Sequence, residues 1–201
     1  MLLDIEADRY LMLRGAEAGA LEALAATGRS SSCPDPALVR LTARGLLAEG
    51  PGAAVSPISV PTPAASALEL AGQAERSSAL EIARYRAEAS LRLRFQGLGG
   101  TVARWRTLKA QQRLGRTDRT SDPGVMARGY AAARVQLPWR RLCVPDSLAL
   151  ARYLWKRDID CEVIFGVRLD PFAAHAWVRS GDLLLSDNIN VVADYTPVFR
   201  L

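Results

Sequence analysis

Apolar residues open the chain in short runs broken by polar turns, and further on they recur at helical spacing. Leu2 to Ile5 and Tyr10 to Leu13 are apolar stretches separated by Glu6-Ala7-Asp8-Arg9, a polar connection that predicts a β-hairpin. Ala16 to Ala26 carries Leu21 and Leu24 in an alanine-rich run that stops at Gly28, which predicts a helix with a glycine C-cap. After a loop from Arg29 to Pro34, Asp35 ahead of Pro36 predicts an N-cap with proline in the first turn. Leu38, Leu41 and Leu46 then stripe a helix from Pro36 to Leu47.

A hairpin followed by small helices is a winged-helix-like module, read here as residues 1–50 and small enough to lean on a neighbour. Residues 51–63 hold four prolines and read as a linker, and residues 64–201 read as a second domain. From Ala64 the pattern turns helical, with Leu80, Ala83, Ala87 and Leu91 predicting the apolar face of a long helix that Gly97-Leu98-Gly99-Gly100 breaks. Val102 to Leu114 and Val125 to Val135 predict two more helices, separated by a polar loop from Arg116 to Gly124.

Toward the C-terminus, Pro145, Asp146 and Ser147 suit a first helical turn, and Leu150, Ala151 and Leu154 continue its apolar face. Cys161 to Val167, Phe172 to Arg179 and Leu183 to Asp187 follow as three strands. The class is therefore α+β, with helices preceding an antiparallel C-terminal sheet.

Composition narrows the chemistry. The chain has 201 residues and is 49% hydrophobic, enough to build a core. No apolar run reaches the length of a membrane span and the N-terminus lacks a secretion signal, so the expectation is a soluble cytoplasmic protein without a membrane partner. Three cysteines, Cys33, Cys143 and Cys161, have neither disulfide nor zinc spacing, and no metal or cofactor is expected. The formal charge of +5 gathers in arginines of the middle third, among them Arg92, Arg94, Arg104 and Arg106. Aromatics are few and no nucleic-acid motif accompanies them, so a solvated helix face is the preferred reading and no nucleic-acid partner is expected.

The protein's single histidine, His175, lies in the second C-terminal strand pattern. Cys143 stands at the start of a helix, where the positive end of the dipole favours thiolate and free amides can receive an oxyanion. If Ser180-Gly181-Asp182 forms the connecting loop, Arg179 faces Leu183, Trp177 faces Leu185 and His175 faces Asp187. Cysteine, histidine and acid then form the order of a nucleophile, its base and the residue that orients the base. Asp146 places a negative charge one turn inside the helix, which taken alone opposes thiolate formation, and Asp158 stands where a helix-ending glycine is expected.

Cys143-Val144-Pro145-Asp146-Ser147-Leu148-Ala149-Leu150, Phe165-Gly166-Val167, Pro171-Phe172-Ala173-Ala174-His175-Ala176-Trp177-Val178 and Ser186-Asp187 resemble the transglutaminase-like cysteine protease of lasso peptide biosynthesis, the B protein. The resemblance runs from about Ala64 to Leu201. It implies a papain-like fold with Cys143 as nucleophile, His175 as general base and Asp187 orienting it. The implied reaction removes the leader from a ribosomally made precursor peptide, and the implied partners are that precursor and an ATP-dependent lasso cyclase. Leu3-Asp4-Ile5, Arg9-Tyr10-Leu11 and Gly45-Leu46-Leu47 are similar to the leader-recognition element of such pathways. By that analogy a leader strand adds to the hairpin edge, with Arg9, Tyr10, Leu11 and Leu13 receiving it and Arg40 and Arg44 on the helix beside it. Two alternatives stand against this reading: a catalytically silent leader-binding scaffold and a winged-helix DNA-binding regulator.

Overall fold

The computed structural model describes residues 1–27, 35–48, 58–114 and 121–201. The chain divides into two compact units, one of Met1–Leu3 with Tyr10–Ser59 and the other of Asp4–Arg9 with Val60–Leu201. Gly28 and Cys33, most of the proline-rich linker and the first half of the polar loop after Leu114 lie outside the described residues. No helix among the described residues is long and apolar enough to cross a membrane.

Strands β1 (Leu2–Asp4) and β2 (Arg9–Leu11) form the expected hairpin. Asp4 organises its turn by accepting the Ala7 amide at 3.1 Å and pairing with Arg9. Helix α1 (Gly15–Thr27) follows, and then α2 (Pro36–Ala43), whose N-cap Asp35 accepts the Ala37 amide at 2.7 Å. Helix α2 is shorter than its apolar stripe suggested. Gly45 takes a φ of 69°, and the Leu46 amide turns back to the Leu41 carbonyl, so the chain leaves the helix before Leu47.

The larger unit contributes the rest. Ala64 to Ser78 is not helical. Instead, Ala65–Ser66 forms β3, and helix α3 (Ala79–Leu114) begins only afterwards. Gly97, with φ 65° and ψ −173°, breaks α3 where the glycine cluster predicted, a conformation that glycine alone adopts without strain. The face that α3 buries is not the predicted one. Leu80 is 81% exposed and Leu91 55%, whereas Ile82, Tyr85 and Ala89 are buried. Helix α4 (Pro123–Val135) starts at the Asp122 N-cap, and α5 (Cys143–Trp155) starts at Cys143.

Helix α5 is buried on nearly every side from Leu148 to Trp155, and Trp105 of α3 donates its indole N–H to the Leu148 carbonyl at 3.0 Å. Asp158, at φ 57°, occupies the left-handed position after this helix. The Ile159 and Asp158 amides close onto Leu154 and Trp155, so an aspartate completes the turn usually given to glycine.

Strands β4 (Glu162–Leu169), β5 (Phe172–Ser180), β6 (Leu183–Leu184) and β7 (Thr196–Arg200), with the short helix α6 (Ile189–Val192) before β7, complete the chain. The sheet order is β3-β6-β5-β4-β7. Its β4, β5, β6 and β7 pairings are antiparallel, but β3 runs parallel to β6, so the sheet is mixed and not purely antiparallel as expected. The Ala64 and Ala67 amides, bonded to Asp182 and Leu184, hold β3 in place.

The turn after β5 also differs from its expectation. Arg179 pairs with Leu184 and Ser180 with Leu183, a two-residue connection through Gly181 and Asp182 that shifts the register by one. Strand β6 ends after two residues, and beyond it the Leu185 amide makes one more backbone bond, to the Val178 carbonyl.

Candidate active site

Cys143 is the first residue of α5. Its N-cap, Leu142, offers no side-chain hydrogen bond; within the first turn Pro145 has no N–H and the Asp146 amide returns to the Leu142 carbonyl, so an incoming ligand would meet the amide of Cys143 itself. His175 lies on β5, opposite Gly166 of β4. The His175 Nε2 is 3.1 Å from Asp187 Oδ1, and both side chains are about four-fifths buried. The other ring nitrogen, Nδ1, is thereby left for the Cys143 thiol, with which the ring interacts by hydrogen bond and by charge.

This arrangement shifts both groups toward their charged forms. Burial alone would raise the Cys143 pKa. The His175 hydrogen bond, the Ala176 and Val144 amides and the imidazole charge outweigh it and hold the thiol below its ordinary value. Burial likewise opposes the imidazolium, yet the bonds to Asp187 and Cys143 raise His175 to about 9. A thiolate facing an imidazolium is the state that both shifts favour.

Asp187 meets His175 although the register is not the expected one. With Arg179 opposite Leu184, an unbroken ladder would carry Asp187 out of line with His175. The ladder instead stops after the Leu185 amide bonds the Val178 carbonyl, and the Ser186 hydroxyl then takes the Val178 amide at 2.9 Å. Asp187 is thus freed from the pleat, and the Ser66 hydroxyl of β3 holds its carbonyl at 2.7 Å.

Asp146 does not oppose the thiolate. Its Oδ1 accepts Arg86 Nε at 2.9 Å and Arg134 Nε at 2.7 Å, and its Oδ2 accepts the Leu142 amide at 2.7 Å. Both arginines are buried, and Arg86 also donates to Ser90. Two guanidinium groups therefore outweigh the one carboxylate, and the carboxylate fixes the residue immediately before Cys143. Arg134 further donates to the Trp139 carbonyl, so the whole approach to α5 is tied down.

Around the imidazole, Tyr195 and Trp177 form an aromatic wall at ring distances of 5.3 and 6.1 Å. A cavity of about 110 Å³ opens beside His175 and Asp187, walled by Leu68, Leu150 and Leu185 with Tyr130 within it.

Cys143, His175 and Asp187 are brought together, whereas the residues expected to meet a leader have local partners. Arg9 pairs with Asp4, Arg44 with Glu17 at 2.8 Å, and Arg40 with Glu17 at 3.8 Å. Tyr10 and Leu11 are half-buried in β2, and Leu13 follows it. Cys161 is buried beside Trp155, and burial pushes its thiol up, away from reactivity.

Sequence reasoning missed Arg86, Arg134, Ser66 and Ser186. A signal for Arg86 existed in its place between Ile82, Tyr85 and Ala89, since a charge inside an apolar stripe implies a buried partner. Ser66 gave none, and Ser186 stood in the sequence only as the neighbour of Asp187 in the motif that resembles the family.

A family model described as the transglutaminase-like superfamily matches residues 86–200, a span that begins at Arg86 and includes Cys143, His175 and Asp187. Over 49 residues the chain is 41% identical to the microcin J25-processing protein McjB of Escherichia coli, a match that covers 24% of each protein. The match thus spans about a quarter of that relative's length. No solved structure matches the chain significantly.

Proposed function

Because the chain belongs to the transglutaminase-like superfamily, we propose that it is a cysteine peptidase that cuts the leader from a ribosomally made lasso precursor peptide. The observation that carries this reading is the convergence of Cys143, His175 and Asp187 at the open end of α5. The partial similarity to a microcin-processing protein supports a peptide substrate.

In the proposed reaction the Cys143 thiolate attacks the carbonyl of the last leader residue, and the Cys143 amide at the start of α5 receives the oxyanion. The His175 imidazolium gives its Nδ1 proton to the departing amine of the core peptide. The carbon–nitrogen bond breaks, leaving the leader as a thioester on Cys143. His175 then takes a proton from water, which attacks the thioester and releases the leader as a carboxylic acid. Asp187 holds the ring with Nε2–H toward itself, so that Nδ1 stays on the sulfur. The freed core would pass to an ATP-dependent cyclase.

Residues 1–50 would choose the substrate. Strand β2 has a second edge with no strand partner among the described residues, which suits addition of a leader strand along Arg9, Tyr10, Leu11 and Leu13. Arg40 and Arg44 would meet acidic leader residues by exchanging Glu17 for them. Tethering recognition to the nucleophile raises the local concentration of the scissile bond.

Mass spectrometry of a candidate precursor incubated with the protein tests the reading. The expected products are leader acid and free core, and Cys143→Ala should abolish them while leaving leader binding intact. Retained cleavage by that variant would sink the assignment. Product masses also separate hydrolysis, which adds water, from transfer of the leader to another amine.

A further inference from the structure

We propose that Ser186 is a positioning residue whose hydroxyl, anchored on the Val178 amide, aims the Asp187 carboxylate at His175. This rests on the reading of Cys143 and His175 as the reacting pair. Three distances carry it. The Val178 N–H donates to Ser186 Oγ at 2.9 Å, Ser186 Oγ donates to Asp187 Oδ2 at 2.5 Å, and Asp187 Oδ1 meets His175 Nε2 at 3.1 Å.

The direction of this chain of bonds is imposed by its anchor. A backbone amide can only donate, so it occupies a lone pair of Ser186 Oγ and leaves the hydroxyl hydrogen to the carboxylate. A bond from O–H to carboxylate of that length is charge-assisted and holds the acceptor oxygen in place. With one oxygen held by Ser186, the carboxylate cannot rotate without breaking that bond, and its other oxygen stays on the imidazole. Ser66 holds the main chain of Asp187 from the opposite strand through the carbonyl, so backbone and side chain are fixed separately. The need for such a device follows from the register. β6 has ended before Ser186, and no ladder bond positions Asp187.

Several charged and titratable groups surround the imidazole. Cys143 faces it from α5, Asp187 from the segment after β6, and Tyr195 from the segment before β7. Asp146, Arg134, Arg141 and Tyr130 line the adjoining cavity. Arg168 of β4 lies over the Tyr195 ring. Replacing Ser186 by alanine changes none of these charges.

The test uses the full chain and no peptide substrate, so a failure to cleave any precursor does not bear on it. His175 is the protein's single histidine, and its ring proton gives one NMR titration. Ser186→Ala is expected to lower the His175 pKa by about one unit. Alkylation of Cys143 by iodoacetamide, followed on its own tryptic peptide, should slow at fixed pH, since a less favoured imidazolium stabilises the thiolate less. Ser186→Thr, which keeps the hydroxyl, should restore both. A His175 pKa that is unchanged or raised in Ser186→Ala overturns the proposal, because a hydroxyl that merely competed for the carboxylate would strengthen the His175 bond when removed. Should the alanine variant not fold, hydrogen exchange at Val178 in the unmodified protein decides. Protection of that amide supports the anchor, and exchange at loop rates overturns it.

Discussion

The Ser147 hydroxyl donates to the Ala176 carbonyl at 2.9 Å in a buried contact, and the Ala176 amide serves the Cys143 sulfur one helical turn earlier. A strand residue points its N–H and C=O to the same side, so a single residue of β5 holds α5 at two successive turns. The thiol is thereby fixed on the residue next to His175. Ser147→Ala should cost about 1–3 kcal/mol of stability by leaving a buried carbonyl unpaired. It should also slow Cys143 alkylation. Urea unfolding and alkylation rates check the two effects, and a variant of unchanged stability and reactivity would remove Ser147 from the account.

Asp146 joins Arg86 and Arg134 beneath the start of α5. Asp146→Asn removes the shared anion and leaves two buried guanidinium groups without it. Breaking a buried pair in this way costs about 3–5 kcal/mol. Equilibrium denaturation should show a lower midpoint, with Cys143 alkylation slowed at denaturant concentrations where the variant is still folded.

The pH dependence has a definite sign. Folding raises His175 from its ordinary 6.5 to about 9, so its pairing stabilises the fold fully below the ordinary value and is lost as pH rises through about 9. Cys143 runs the other way. Its pKa is lowered from 9.0, so its contribution is present above that value and is lost as pH falls through the lowered one. The histidine resonance should titrate near 9 in the unmodified protein, and Asp187→Asn should bring it down toward 6.5. A wild-type titration near 6.5 would contradict the ion pair.

Gly166 sits opposite His175 at a shift in the β4–β7 register, and an added Cβ there would come within 2.6 Å of the Trp177 ring. Gly166→Ala must push that ring or its strand aside, at about 1–3 kcal/mol. Thermal unfolding and near-ultraviolet circular dichroism should both report the change, and the His175 titration should move with it.

What the sequence by itself determined was local. Asp35 before Pro36 caps α2, and the first turn spelled by Pro145, Asp146 and Ser147 places Cys143 at a helix N-terminus; each of these signals acts within a few residues. His175 was legible as the lone histidine of a strand. Its meeting with Asp187 was anticipated from a register that does not form, and the two meet where the ladder has ended and the Ser186 hydroxyl takes the Val178 amide. Tertiary structure decided the rest. Helix α3 carries two apolar stripes, and only its packing selects Ile82, Tyr85 and Ala89 over Leu80 and Leu91. Asp146 reads as an obstacle to a thiolate until Arg86 arrives from 60 residues away. A backbone pattern records where a side chain starts, but the partner that neutralises, anchors or aims it is brought by the fold.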